Sequence, residues 1–202
     1  MTGTILAGGE NTRIPLLKGH IEINGKRIID TGINLMRNLF GKVVISTNAP
    51  ELYFYCGAPM IGDVIPQRGP LTGIFSVLTN IKDDAIFAVA CDMPFLDERL
   101  MRHMADKYNN FNSRTNKWDA VIPVFEGKPQ PLFGIYSKNI LGVMEKRLDK
   151  GLRKLRDMLA EINVLYIKEE EVREIDPEGR SFLNINTMED LEKIRGGKIC
   201  LV

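Results

Sequence analysis

Residues 85–92 have the sequence Ala-Ile-Phe-Ala-Val-Ala-Cys-Asp, an apolar run that stops at a carboxylate. A strand with one solvent-exposed face alternates polar and apolar residues, whereas a parallel strand covered on both faces is apolar at nearly every position. The run therefore predicts a central strand with helices packed on both sides of its sheet. Because this strand ends at Asp92, the carboxylate is expected at the sheet edge where ligands bind.

Strand and helix patterns alternate through the first half of the chain. Residues 5–7 and 43–45 are short apolar runs typical of strands, and residues 29–40 carry apolar side chains at spacings of four, three and four. That spacing predicts a helix with one buried face, and Gly69-Pro70 has the form of another helix start, with proline at the first helical position. The alternation predicts an α/β fold, a three-layer αβα sandwich around a mainly parallel sheet.

The second half of the chain continues this pattern less regularly. Apolar residues at four-residue spacing predict a helix over 96–108, and the polar residues 109–117 predict a loop. A last helix is expected from Thr187 to Ile194, with Asp190 in place of the usual Glu or Gln of a capping box. The other predicted elements are strands over 120–125, 132–136 and 164–167 and helical structure over 141–162.

The composition is that of an ordinary globular protein of 202 residues, 44% hydrophobic and 26% charged. Lys and Arg total 27 against 26 for Asp and Glu, and a net charge of +1 argues against a general nucleic-acid binder. Three cysteines without a CxxC pair and two histidines argue against a disulfide framework or a structural zinc site. No apolar run approaches the roughly 18 residues of a membrane span, and no signal-peptide pattern is present. We expect one cytoplasmic domain over residues 1–202, with no nucleic-acid or membrane partner.

The first candidate site is the turn Leu6-Ala7-Gly8-Gly9, which Arg13 and Lys18 follow. Two glycines leave backbone N–H groups unshielded, so a phosphate can approach closely while the two cations supply positive charge. From the residues alone, a plain strand turn with two exposed cations fits equally well. The chain has neither GxxxxGKS/T nor GxGxxG after the first strand, which excludes a P-loop and the usual dinucleotide-binding turn.

Three further segments place polar residues or glycines at the ends of predicted elements. Asp92 is the hard oxygen ligand that Mg²⁺ prefers beside a triphosphate, or else the N-cap of a helix beginning near Pro94. The glycines of the segment Gly69-Pro70-Leu71-Thr72-Gly73 leave room for a base ring, or they simply start a helix. Asn184 and Asn186 share one side of an extended segment and face a ligand together, or they are loop and cap residues.

Taken in order along nearly the whole chain, these segments resemble one known family. Residues 6–9, 69–73, 91–94 (Cys-Asp-Met-Pro) and 184–187 (Asn-Ile-Asn-Thr) are similar to motifs of the MobA-type molybdenum cofactor guanylyltransferases. The resemblance implies a Rossmann-like nucleotidyltransferase fold and a Mg²⁺-dependent transfer of GMP from GTP to molybdopterin, with release of pyrophosphate. It also implies other cofactor-biosynthesis proteins or recipient apoenzymes as partners.

The same resemblance implies roles for individual residues. Lys18 and Arg13 match the cationic pair that holds the phosphates, and Asp92 matches the Mg²⁺ ligand, so these three are the implied catalytic residues. Asn184 and Asn186 match residues near the transferred group or the second substrate. The implied nucleotide-binding set is Leu6, Ala7, Gly8, Gly9, Lys18, Asp63 and Asp92.

The chain departs from the family pattern GGxSxRMGxDK at four positions. Asn11, Ile14, Pro15 and Leu17 stand where that pattern has Ser, Met, Gly and Asp. Pro15 restricts the backbone there, and Leu17 removes a carboxylate beside Lys18. Two alternatives stay open: a related nucleotidyltransferase that uses another base or acceptor (cytidylyl or sugar-phosphate), and a non-catalytic nucleotide-binding assembly protein.

Overall fold

The structure is a computed structural model that describes residues 1–8, 18–112 and 118–195, and an eight-stranded sheet runs through its centre. A separate two-stranded hairpin, β2 and β3, lies outside this sheet. The strands are β1 Thr2–Leu6, β2 Glu22–Ile23, β3 Lys26–Arg27, β4 Val43–Ser46, β5 Met60–Ile61, β6 Ala85–Ala90, β7 Ala120–Phe125, β8 Lys128–Pro129, β9 Phe133–Ser137 and β10 Val164–Ile167.

β1 lies inside the sheet between β4 and β6 and pairs with both in parallel. β5 extends the parallel arrangement beyond β4, and β10 pairs in parallel with β7. β9 is antiparallel to both β6 and β7, so the order is β10-β7-β9-β6-β1-β4-β5, with β8 paired to β7. The prediction of a mainly parallel sheet is confirmed; β9 and the short β8 run antiparallel to their neighbours.

Helices cover both faces of the sheet, as the apolar run of β6 predicts. They are α1 Ile28–Phe40, α2 Pro70–Asn80, α3 Glu98–Asn112, α4 Leu141–Asp149, α5 Leu155–Met158, α6 Glu169–Ile175 and α7 Met188–Arg195. Phe87 and Val89 of β6 belong to a core shared with α1, α3 and α6, while Ile86 and Ala88 belong to a second core shared with α2, α4 and α5. Alternate residues of β6 thus pack against the helices on opposite faces of the sheet, which confirms the three-layer αβα sandwich.

Helix α3 differs from its prediction at both ends. It begins at Glu98, because the Asp97 carboxylate accepts a hydrogen bond from the backbone N–H of Arg99 at 2.8 Å and so caps the helix. The predicted loop is wrong up to Asn112, since the helix continues to that residue; residues 113–117 lie outside the described residues. At 15 residues α3 is the longest described helix, and none of the described helices has the length and apolar character that crossing a membrane requires.

A small third apolar cluster joins an early part of the chain to a late one. The Asn24-Gly25 turn closes the hairpin β2–β3 with φ angles of 53° and 73°, the left-handed conformation that Asn-Gly favours in two-residue hairpin turns. On either side of this hairpin, Ile21 and Ile28 pack with Ile185 and Leu191. The residues that follow the first candidate site are therefore fixed against the region of α7.

Helix α1 approaches β1 closely at Gly3. A Cβ atom on Gly3 would lie 2.8 Å from Cβ and 2.9 Å from Sδ of the fully buried Met36. Because packed interiors do not accommodate carbon atoms at such distances, the absence of a side chain at Gly3 is what allows this contact. The contact fixes α1 against the strand that leads into the first candidate site.

Gly3→Ala should lower the free energy of unfolding by about 1–3 kcal/mol, because the added methyl group overpacks the contact with Met36. Gly142→Ala is the matched control, since no described atom lies within 4 Å of its Cβ position inside α4. Alanine at that helical position should raise stability by about 0.5–1 kcal/mol. Urea denaturation measures both changes, and a Gly3→Ala protein as stable as the wild type would contradict the close-packing argument.

Candidate active site

A cleft of ≈ 450 Å³ opens where β1, β4 and β6 end. Leu6 of β1 is in register with Ser46 of β4 and with Ala90 of β6, so three parallel strands stop at one level. The helices α1 and α2 pack on opposite faces of the sheet, and their connections leave a crevice beyond the carboxyl ends of these strands. The cleft therefore lies where open α/β sheets bind ligands.

The segment Leu6-Ala7-Gly8 forms part of the cleft. The Ala7 N–H donates to the Ser46 carbonyl oxygen at 2.8 Å, and the Cys91 N–H donates to the Leu6 carbonyl oxygen at 3.1 Å. Apart from Gly8 and its chain neighbours, no described atom lies within 4 Å of the Cβ position of Gly8, so no described side chain covers its backbone. An anion can therefore approach the main chain closely at this point.

Asp92 lies in the same cleft, two residues beyond the end of β6. Its carbonyl oxygen accepts a hydrogen bond from the Ile185 N–H at 3.0 Å, and Oδ1 of its half-buried side chain is shielded from solvent. The helix-cap alternative for Asp92 is wrong, because the described chain forms no helix near Pro94 and Asp97 caps α3. Asp92 is therefore a carboxylate of the cleft.

Asp63 lies in the cleft two residues beyond β5, where Asn48 holds it. Asn48 Nδ2 donates to Asp63 Oδ2 at 2.6 Å, and the Asp63 N–H donates to Asn48 Oδ1 at 2.7 Å. Sequence patterns miss this contact, because a two-residue strand has no period and both side chains lie in irregular chain. The one available signal is the position of Asn48, three residues after the predicted strand over 43–45.

The segment Gly69 to Gly73 forms the first turn of α2 at the cleft. Pro70 is the first helical residue, as predicted, and Gly69 before it adopts a φ of 141°. A Cβ atom on Gly73 would lie 2.8 Å from Ser46 Oγ and 3.3 Å from Leu6 Cδ2. These glycines start the helix and let it pack on the strand ends, which supports the helix-start interpretation.

Tyr53 contributes an aromatic side chain to the cleft that the sequence analysis did not identify. His20 packs edge-on against Tyr53 and Tyr55, with ring centroids 5.6 Å and 5.4 Å away. Burial raises the pKa of Tyr53 well above its usual range and raises the pKa of Tyr55 to about 12. Both phenols are therefore neutral near pH 7 and serve in packing and hydrogen bonding rather than as bases.

The charged groups along the described part of the cleft are two carboxylates, Asp63 and Asp92, and one cation, Arg68. A bound triphosphate would add several negative charges to this set. Binding it requires further positive charge, from a metal ion or from additional lysine and arginine side chains.

The structure brings several of the sequence-predicted site residues together. Asn184 and Asn186 flank Ile185, whose N–H donates to the Asp92 carbonyl oxygen, so they lie next to the cleft rather than in its lining. Asn184 is half-buried and Asn186 is exposed. The predicted nucleotide-binding residues that line the cleft itself are Leu6, Ala7, Gly8, Asp63 and Asp92.

Other predicted residues cannot be placed in this way. Gly9 and Arg13 lie outside the described residues, as do the four departures from the family pattern. The backbone of Lys18 begins the short 3-10 helix Lys18–His20, whose last residue contacts Tyr53 of the cleft. The described chain thus resumes close to the cleft.

The donor set at Asp92 fits a Mg²⁺ ion that is shared with a substrate. Mg²⁺ usually takes one or two carboxylates and completes its six positions with waters and phosphate oxygens. Within the described ranges, no three or more His, Cys, Asp or Glu side chains are grouped so as to hold a metal on their own. Among the described residues of the cleft, Asp92 alone supplies a carboxylate beside the glycine turn, and one carboxylate suits a metal that arrives with a phosphate ligand.

A family model described as the MobA-like NTP transferase domain matches residues 3–164, which contain the whole cleft. The chain belongs to this family. The resemblance drawn from the motifs is thereby confirmed, and the MobA-like chain is a nucleotidyltransferase.

Relatives of this MobA-like chain match it over nearly full length. A protein of Peptoclostridium acidaminophilum named "Probable molybdenum cofactor guanylyltransferase" is 33% identical over 94% of this chain and 86% of its own. A protein of the same name from Natranaerobius thermophilus is 34% identical over 96% of this chain and 95% of its own. The crystal structure of molybdopterin-guanine dinucleotide biosynthesis protein A from Archaeoglobus fulgidus matches with a TM-score of 0.80 and 27% identity, covering 97% of each chain.

The segment that carries the two asparagines is held by a capping box at the start of α7. Thr187 Oγ1 accepts from the Asp190 N–H at 3.1 Å, and Asp190 Oδ2 accepts from the N–H groups of Asn186 at 2.9 Å and Thr187 at 2.8 Å. The predicted capping box is confirmed, with Asp in its last position. Although burial opposes it, hydrogen bonding to the charged form holds the pKa of Asp190 below its ordinary value.

Asp190→Asn should lower the local stability of this segment by about 0.5–1 kcal/mol at pH 7, because it removes the charged acceptor of two N–H groups. Since the folded-state pKa lies below the unfolded value, the advantage of the wild type is present above about pH 4 and is lost as the pH falls through the folded-state pKa. Hydrogen exchange at the Asn186 and Thr187 amides, compared between the wild type and Asp190→Asn, measures this difference in local stability. Glu189→Gln is the control, and an equal effect of both substitutions would contradict the capping role.

Proposed function

We propose that this chain transfers GMP from GTP to molybdopterin and releases pyrophosphate, with one domain over residues 1–202 carrying the reaction in the cytoplasm. The observation that carries the proposal is the hydrogen bond from the Cys91 N–H to the Leu6 carbonyl oxygen, which puts the glycine turn and Asp92 side by side in one cleft. The names of the relatives, which specify guanylyl transfer to the molybdenum cofactor, support this choice of nucleotide and acceptor.

The proposed reaction is an in-line displacement at the α-phosphorus of GTP. An anionic phosphate oxygen of the acceptor forms the new P–O bond, the bond to the oxygen bridging the α- and β-phosphates breaks, and pyrophosphate leaves with that electron pair. The attacking oxygen is already ionised at neutral pH, so no general base is needed, in agreement with a described cleft lining that contains no histidine. The main barrier is the approach of two anions, so positioning and charge neutralisation supply most of the catalysis.

We assign each residue a role in this reaction from its position in the cleft or in the motif order. The main chain at Gly8 and Gly9 accommodates phosphate oxygens, and the cations Lys18 and Arg13 hold the outgoing phosphates. Asp92 is the residue that would hold Mg²⁺, which when bound supplies positive charge to phosphate oxygens.

The acceptor side of the site is proposed to include Asn184 and Asn186. Both flank Ile185, whose N–H is bonded to the Asp92 carbonyl oxygen, so they lie beside the residue that carries the carboxylate. Asn184 Nδ2 donates to the Phe182 carbonyl oxygen at 3.1 Å, which fixes the direction of its amide. Other cofactor-biosynthesis proteins or recipient apoenzymes would take up the product.

Pyrophosphate release from the purified protein tests the proposal, with molybdopterin, Mg²⁺ and each of the four common nucleoside triphosphates. GTP should support release, and mass spectrometry should find a guanine dinucleotide product. Release with CTP instead would favour the cytidylyl alternative, and release only with a sugar phosphate as acceptor would favour a sugar-phosphate enzyme. The absence of release from every combination would favour a non-catalytic assembly protein.

Asp92→Asn should lower the rate of GMP transfer by about a hundredfold or more, because it removes one electrostatic stabiliser of the reacting phosphates. Asp84→Asn is the matched control, an exposed aspartate at the opposite end of the same strand, and should leave the rate unchanged. Both rates are measured by pyrophosphate release at limiting Mg²⁺. Wild-type turnover in Asp92→Asn would remove this carboxylate from the mechanism.

Lys18→Ala should lower kcat/KM for GTP by about 10–100-fold, because a charged hydrogen-bond donor to phosphate is lost. The fold should be retained, so the circular dichroism spectrum should not change. Lys82→Ala, which removes an exposed lysine at the far end of the sheet, is the control. Equal kinetics of the two variants would exclude Lys18 from the site.

A further inference from the structure

We infer that His20 is a positioning residue: it ties the short 3-10 helix Lys18–His20 to the wall of the cleft, so that Lys18 meets the outgoing phosphates of the nucleotide. The inference rests on the proposed role of Lys18 and adds to it the residue that fixes the main chain of this lysine. The motifs of the sequence give His20 no role.

The imidazole of His20 is hydrogen-bonded to the chain that follows β4. Its Nε2 lies 3.0 Å from the Leu52 carbonyl oxygen. A carbonyl oxygen only accepts hydrogen bonds, so Nε2 carries the proton of this bond. Leu52 ends the 3-10 helix Pro50–Leu52 and lines the cleft, so the bond joins the Lys18–His20 helix directly to a wall of the cleft.

Two tyrosine rings hold the same imidazole in place. The His20 ring meets the rings of Tyr53 and Tyr55 at interplanar angles of 78° and 68°, which are edge-to-face arrangements. Aromatic pairs in this arrangement attract each other beyond the effect of the area that they bury. Tyr53 is 3% exposed and lines the cleft, so it is a fixed support for the histidine.

The main chain between Lys18 and His20 is packed against the same support. Gly19 is buried, and a Cβ atom on it would lie 3.4 Å from Cβ of Ile29 in α1 and 3.6 Å from Cε1 of Tyr53. Such an atom would be in van der Waals contact with both side chains, so Gly19 lies between α1 and Tyr53. The main chain of the adjacent Lys18 therefore cannot move away from the cleft unless these contacts break.

A fixed main chain matters because a lysine side chain is long and flexible. Its rotamer freedom is lost when its ammonium group binds a phosphate, and a mobile main chain would add a second ordering cost. Within the described residues His20 lies outside the cleft lining, so it acts through the residues that it holds. Its loss should therefore weaken only those ligand contacts that Lys18 makes.

Calorimetric titration of the full chain with GTP and with GMP, in Mg²⁺ and without acceptor substrate, tests this role. GMP lacks the outgoing phosphates that are assigned to Lys18. His20→Ala should lower the affinity for GTP about tenfold and leave the affinity for GMP unchanged, because a hydrogen bond and two ring contacts that hold the lysine are lost. His20→Gln keeps an N–H donor for the Leu52 carbonyl oxygen, so it should lose less GTP affinity than His20→Ala.

A double variant shows whether His20 acts through Lys18. Lys18→Ala should also weaken GTP binding and spare GMP binding. The double variant should bind GTP as weakly as Lys18→Ala alone, because residues that act as one unit do not have additive effects. The ratio of the two affinities within each variant is insensitive to partial unfolding. Equal losses for GTP and GMP in His20→Ala, or additive losses in the double variant, would overturn the positioning role.

His103→Ala is the matched control, because it removes the other histidine of the chain. This side chain is also partly buried, and its Nε2 lies 3.5 Å from Glu171 Oε2, between α3 and α6 and outside the cleft lining. Both affinities should stay unchanged. A loss confined to GTP in this variant as well would assign the effect to general destabilisation and contradict the inference.

The proposed function fails separately from this inference. A wild type that binds no GTP, or a Lys18→Ala variant with wild-type affinity for GTP, contradicts the proposed role of Lys18. A Lys18→Ala variant that loses GTP affinity, beside a His20→Ala variant that keeps it, contradicts the inference alone.

Discussion

The whole site depends on the backbone hydrogen bonds that hold β1 between β4 and β6. The bonds from Ala7 to Ser46 and from Cys91 to Leu6 continue the strand pairing one residue beyond the regular strands. Because main-chain groups make these bonds, the level at which the three strands stop depends little on side-chain identity. The turn at Gly8 and the carboxylate of Asp92 are thereby placed relative to each other by the sheet itself.

Features with a local physical cause could be predicted from the sequence. The apolar run of residues 85–91 and the helical spacing of residues 29–40 identify the layers, because burial imposes a different period on each kind of element. The reversed direction of β9 could not be predicted, since a strand buried on both faces has the same apolar pattern in either direction. The contact between Asn48 and Asp63 joins two irregular segments, for which no period exists.

The aspartates near the end of β6 show why part of the site cannot be predicted from local sequence patterns alone. Asp92 and Asp97 both follow apolar residues and precede a helix, and a helix cap and a ligand both require a short acceptor at a change of chain direction. Local spacing cannot choose between these roles, whereas the backbone shows that Asp97 is the cap. For Lys18, Asn184 and Asn186 the motif order supplied the assignment, because single polar residues in loops have no pattern of their own.

The apolar cluster that unites Ile21 and Ile28 with Ile185 and Leu191 has a consequence for how the protein matures. Contacts between positions far apart in the chain form slowly, because the intervening residues must first be ordered. A nascent chain can complete its layered sheet from residues already synthesised, but Ile21 and Ile28 meet Ile185 and Leu191 only when the region of α7 emerges. The packing beside the nucleotide cleft is therefore completed only after residues 185–191 have been synthesised.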